Sequence, residues 1–116
     1  MNQNNILISG IHIHVHDGYK HHIYNKTQKL IKHQSKIDFF QFELEKDLHS
    51  KSHSKEYIAK GRMQIEGKFT YLFSAKSDNM YQSIDLLIGK LDRSLRKKSR
   101  LKKFKRKILS CLNKVL

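Results

Sequence analysis

The residues with the clearest capacity for chemistry are cations. Of 24 lysines and arginines, eleven fall between positions 90 and 107: Lys90, Arg93, Arg96, Lys97, Lys98, Arg100, Lys102, Lys103, Lys105, Arg106 and Lys107. Asp92 is the only acid among them. Lys90, Arg93, Lys97 and Arg100 follow i, i+3, i+7, i+10 spacing, so a helix would carry them as one ridge. A solvated helix face normally mixes both signs. A one-signed ridge instead suits a phosphate backbone, where each cation displaces condensed counterions.

Other constellations carry less. His12, His14 and His16 alternate, and on a strand three such nitrogens could face a zinc ion together. No acid pair or second Cys/His cluster completes that site, so no metal is expected, and the histidines read as pH-dependent charge beside a basic patch. Glu43, Glu45 and Glu66 fit solvent-facing strand or turn positions better than an acid–base pair. The sequence has no glycine-rich phosphate loop, nucleophile elbow or Cys-X-X-Cys motif, so neither an enzyme nor a cofactor is expected.

These cations must be positioned by ordinary elements. Ile6, Leu7 and Ile8 before Gly10 form a short first strand. Tyr19, Ile23, Thr27 and Leu30 recur at helical spacing, predicting a helix from about Asp17, its N-cap, to His33. Residues 37–46 alternate, with Phe40, Phe42 and Leu44 on one side and Gln41, Glu43 and Glu45 on the other. After a polar loop over 47–55, Tyr57, Ala59, Gly61, Met63 and Ile65 alternate with Lys60, Arg62 and Gln64. Glu66-Gly67 is a tight turn, and Phe69, Tyr71, Phe73 and Ala75 line the returning strand.

Ser77 and Asp78 then cap a second helix, in which Ile84, Leu87, Ile88, Leu91 and Leu95 make one narrow stripe. That stripe would hold the helix to the sheet and leave the basic ridge outward. The order β-α-β-β-β-α predicts an α+β two-layer sandwich, a four-stranded sheet with two helices on one face. Lys26 and Lys29 of the first helix, with His22 and His33 nearby and Lys32 and Lys36 further round, could then merge with the ridge into one patch.

The whole-chain numbers agree. With 116 residues the chain suits one domain with a modest core. The net charge of +14 calls for an anionic partner, nucleic acid or an anionic membrane surface. The lone Cys111 excludes an internal disulfide and fits a reducing compartment. No apolar run approaches a membrane span, and the N-terminus does not read as a secretion signal, so a soluble, cytoplasmic protein is expected. In residues 101–116, Leu101, Phe104, Ile108, Leu112 and Val115 form a stripe rotated from the one above. Either the helix bends or a separate segment begins. A docking helix, an anionic-membrane contact, an RNA-induced helix and a frayed basic tail all fit that pattern.

The stretch D-N-M-Y-Q-S-I-D-L-L-I-G-K-L-D-R-S-L-R-K, residues 78–97, resembles the second helix of the ribosome hibernation-promoting factor and ribosome-associated inhibitor family. The family pattern is roughly D-M-Y-x-A-I-D-x-L-I-x-K-L-x-R-Q-L-x-K. Met80, Tyr81, Ile84, Asp85, Leu87, Ile88, Lys90, Leu91, Arg93, Leu95 and Lys97 match it in order. I-S-G at 8–10 resembles the first strand, and Lys26, Lys29 and Leu30 fall where the first helix carries A-K-x-x-K-L. The resemblance covers about residues 5–100.

The resemblance implies a domain at 1–100 that binds rRNA of the small ribosomal subunit between head and body, over the mRNA channel and the A- and P-site tRNA positions. Translation would stop by occlusion while the ribosome is preserved, a response typical of stress and stationary phase. Lys26, Lys29, Lys90, Arg93 and Lys97 carry over as rRNA contacts, and Arg96 and Arg100 of the same cluster complete the expected set. A generic double-stranded-RNA binder is the alternative. The loop between strands two and three is longer than in short members, the tail lacks the acidic end of the translation-inhibiting branch, and no dimerising domain follows. Those departures favour the short hibernation-promoting type, monomeric off the ribosome, acting beside a separate ribosome modulation factor and not at a membrane. Residues 101–116 stand apart as a basic amphipathic tail.

Overall fold

In the computed structural model, residues 5–33, 37–48, 56–67 and 69–115 are described, with side chains to position 97 except that of His33. The elements run β1 (Ile6–Ile11), α1 (Asp17–His33), β2 (Ile37–Lys46), β3 (Tyr57–Ile65), β4 (Phe69–Ser77) and α2 (Met80–Val115). The polar loop expected over 47–55 falls mostly outside the described residues, as do Lys36 and the side chains of 98–116.

The sheet order is β1-β2-β3-β4, with β1 parallel to β2 and the other pairs antiparallel. Parallel neighbours cannot be joined by a tight turn, so α1 crosses over the sheet between them. Period-two alternation sends Phe40, Phe42 and Leu44 inward to full burial, opposite Met63, Gly61 and Ala59 of β3. They meet Ile23 and Leu30 of α1 and Ile84, Leu87, Ile88, Leu91 and Leu95 of α2 in one core. The expected two-layer α+β sandwich, order β-α-β-β-β-α, is the fold observed.

Gly61 has a packing reason. A Cβ there would lie 3.0 Å from the Leu87 side chain, so the missing methyl lets α2 settle onto β3. At the hairpin, Glu66 (φ 55°) and Gly67 (φ 65°) both take left-handed backbone, the conformation of a turn that follows strand twist. The Gly67 N–H donates to Asp38 Oδ2 at 2.6 Å, tying the turn to β2. On β4, Ala75 is buried and Tyr71 and Phe73 pack partly against the core, whereas Phe69 at the hairpin end is 46% exposed.

Two caps differ from expectation. The first turn of α1 is capped by His16, whose Nδ1 accepts the Gly18 N–H at 3.1 Å, while Asp17 lies inside that turn. For α2 the cap is Asn79: its Oδ1 accepts the Tyr81 N–H at 2.8 Å. Ser77 Oγ instead accepts the Asn79 N–H at 3.2 Å, and the buried Ser83 hydroxyl donates to the Tyr57 carbonyl at 2.7 Å, fastening α2 to β3. A cap side chain must reach the N–H two or three residues on, which favours the position just before the helix.

Helix α2 has 36 residues, about 54 Å at 1.5 Å per residue. Its backbone runs without interruption through the tail, so no separate segment begins near position 101. The apolar stripe read there lies among side chains outside the description.

Candidate nucleic-acid interface

The buried stripe of α2 fixes the rotation of the helix, and with it the direction of every cation to position 97. Leu87 and Leu91 are fully buried, and each such side chain is worth roughly 1.5–3 kcal/mol against exposure. Rotating the helix would forfeit several of these at once, so the polar side is held in one orientation.

Lys90, Arg93 and Lys97 keep the shared azimuth of the ridge to within about 60°, and Arg96 stands off it. Lys90 and Arg96 point about 120° apart at 3.6 residues per turn. Lys90 leans over the sheet edge, where its ammonium donates to the Ser74 carbonyl of β4 at 2.6 Å. Arg96 leans the other way, toward α1, with its Nε 3.1 Å from Asp92 Oδ2. Arg93 and Lys97 stand exposed on the crown between them. Arg93 Nε donates to the Gly89 carbonyl at 3.3 Å. The side chain of Arg100 lies outside the described residues.

Helix α1 packs beside α2, and Lys26 and Lys29 face Arg96 across a cleft of about 320 Å³. Leu30, Ile88 and Gly89 also line it, as do two acids, Asp85 and Asp92. Lys26 Nζ lies 3.7 Å from Asp85 Oδ1, and His22 Nε2 lies 2.7 Å from the same oxygen. The two basic flanks therefore meet, but across a pair of carboxylates rather than as an unbroken cationic patch. Exposed ion pairs contribute little, about 0–1 kcal/mol each, so Lys26 and Arg96 remain free to exchange a carboxylate for a phosphate. Among the described residues no acid lies within ion-pair distance of Lys29, Lys90, Arg93 or Lys97.

Beyond the cleft, four rings gather near the N-termini of both helices. His16 stacks on Tyr19 with centroids 3.8 Å apart, and Tyr81 lies 5.1 Å from Tyr19 and 5.2 Å from His22. Burial pushes the Tyr19 hydroxyl above the ordinary tyrosine pKa, with Tyr81 and Tyr57 adding smaller shifts the same way. Gly18 gives the Tyr81 hydroxyl its room, since a Cβ at 18 would stand 2.5 Å from it.

Residues 12–16 do not continue β1, so His12, His14 and His16 lack the shared strand face that a zinc site would need. Among the described residues no group of three His, Cys, Asp or Glu side chains could hold a metal ion. On the opposite face of the sheet, Glu43 and Glu45 flank Lys60 at 3.7 and 3.3 Å. Hydrogen bonding to Glu45, its charge and then Glu43 hold the Lys60 ammonium above its ordinary pKa. These glutamates answer a lysine, not each other. Among the described residues no helix is long and apolar enough to cross a membrane.

Asp85, Asp92 and Gly89 escaped the sequence reading of the site. Asp92 and Arg96 at i, i+4 were a usable signal for one pair. Nothing local connects Asp85 to Lys26 or His22, which lie on another helix.

Residues 6–108 match the family described as Sigma 54 modulation protein / S30EA ribosomal protein. A ribosomal subunit interface protein from Coxiella burnetii is similar in structure, with TM-score 0.69 and 20% identity over 82% of this chain and 97% of that one. The Thermus thermophilus Protein Y N-terminal domain is similar with TM-score 0.65 and 15% identity over 78% and 92%. At those identities the likeness is one of fold. No curated protein sequence matches this chain.

Proposed function

The chain belongs to the Sigma 54 modulation protein / S30EA ribosomal protein family, and from that premise we propose that it binds rRNA of the small ribosomal subunit and silences the ribosome. The observation that carries this reading is the helix face. Lys26, Lys29, Arg93, Arg96 and Lys97 come from two helices on one side of the sheet, in a chain of net charge +14. RNA is read largely through phosphate and ribose, so cations fixed on a rigid face suffice as recognition. Lys90 joins them at the rim once its carbonyl contact is exchanged for phosphate, and Arg100 completes the proposed set.

The mode of action is occlusion without chemistry. Seated between head and body, the protein covers the mRNA channel and the A- and P-site positions, blocks translation in the cytoplasm, and favours hibernating ribosomes that a separate modulation factor pairs. Residues 1–100 form the ribosome-binding unit and 101–116 a basic arm. The family's own description, and the name ribosomal subunit interface protein given to the Coxiella burnetii relative, support this reading.

Sucrose-gradient sedimentation of ribosomes with the purified protein tests it, alongside translation in a cell-free extract. The protein should travel with small subunits and whole ribosomes and lower translation in proportion to occupancy. An excess of naked duplex RNA should displace it poorly. Equal competition by duplex RNA would favour a generic double-stranded-RNA binder instead.

A further inference from the structure

Glycine is the poorest helix former apart from proline, because it gives up the most backbone freedom. Gly89 nevertheless sits well inside α2. Gly61 and Gly18 occupy places where a Cβ would collide, and Gly67 takes positive φ, whereas a Cβ at Gly89 would meet no heavy atom within 4 Å. Its φ is not positive either. Neither packing nor conformation among the described residues asks for glycine there.

Its surroundings suggest what does. Gly89 lines the α1–α2 cleft beside Lys26, Lys29 and Arg96, with Asp85 and Asp92 on the same walls. Its carbonyl is held by Arg93, one turn further along the crown. Glycine is the usual residue where a ligand must come close to backbone.

We propose that Gly89 is the close-approach point for an RNA strand, whose ribose-phosphate unit sits in the α1–α2 cleft. Phosphate oxygens take the place of the carboxylates on Lys26 and Arg96 and reach Lys29. The released Asp85 or Asp92 accepts the ribose 2′-hydroxyl, the group that separates RNA from DNA. The mixed lining suits ribose-phosphate better than an acidic peptide, because the sugar brings a hydroxyl donor for a carboxylate beside the anion that the cations hold, whereas an acidic side chain brings the anion alone. The proposal rests on the rRNA-binding reading and adds where one strand lies.

Gly89→Ala tests it, because the same methyl has opposite effects in the two settings. In the free protein the methyl enters open space and favours the helix, so the melting temperature should rise by a few degrees. On the small subunit it should weaken co-sedimentation at least tenfold. Hydroxyl-radical footprinting at saturating protein should show a few consecutive riboses that wild type protects and Gly89→Ala does not. Unchanged affinity overturns the proposal while leaving the ribosome reading intact. A lowered melting temperature overturns it too, by giving the glycine a role within the fold. Weaker binding with the same ribose protections would assign the cleft to a ribosomal protein. If wild type itself fails to sediment with ribosomes, the parent reading falls first.

Discussion

Counterion release turns the helix face into a number. Five described cations face the same side, Lys26, Lys29, Arg93, Arg96 and Lys97, of which Lys26 and Arg96 already hold carboxylates. Each phosphate neutralised contributes about −0.9 to the slope of log affinity against log salt on duplex DNA. Applied here, all five cations give a slope of about −4.5, and the three without an acid partner about −2.7. Between about 50 and about 200 mM salt, affinity should therefore fall by roughly 40-fold at the lower count and about 500-fold at the higher. Replacing Lys29, Arg93 and Lys97 together by alanine should leave a slope no steeper than about −1.8 and a fall of about tenfold. All three side chains are exposed, so the fold should be unaffected. Co-sedimentation with small subunits over a salt series at fixed magnesium measures both slopes. A triple variant with the wild-type slope, or a wild-type slope near zero, would refute the assignment of this face to phosphate.

Three further expectations concern the scaffold. Leu87→Ala removes a fully buried side chain seated over Gly61 and should cost about 2–5 kcal/mol in urea unfolding, and Gly61→Ala should cost about 1–3 kcal/mol by crowding Leu87. Asn79→Ala should lower stability by about 1 kcal/mol, while Asp78→Ala should stay within about 0.5 kcal/mol; the reverse ranking would return the cap to the position read from sequence. The raised Tyr19 pKa means the unfolded chain loses that proton first, so its stabilising effect is complete below about pH 10 and is lost as pH climbs through the folded value. Urea midpoints compared between about pH 9 and 11 should therefore fall more steeply for wild type than for Tyr19→Phe, and equal falls would remove Tyr19 as the cause.

Much of this protein is legible in local spacing. Phe40, Phe42 and Leu44 at period two, the stripe from Ile84 to Leu95 at period 3.6, and the Glu66-Gly67 turn define strand, helix and hairpin with no knowledge of their neighbours. Periodicity also says which side of α2 is buried, because an apolar stripe has only one favourable environment. The concentration of cations on α2, and with it the expectation of an anionic partner, is read from the order of residues alone.

Tertiary structure decided what depends on distance between elements. That β1 pairs parallel with β2 is a choice among sheet edges which Ile6–Ile11 cannot make alone. Side-chain reach chose His16 and Asn79 as caps over their acidic neighbours. Above all, the surroundings of the cations come from what packs on either side of α2: β4 draws Lys90 to Ser74, and α1 brings Lys26 and Lys29 to face Asp85, Asp92 and Arg96. Spacing along one helix sets only relative azimuth, whereas a charge site is set by which other chain segments stand at each azimuth, and those come from far away in sequence.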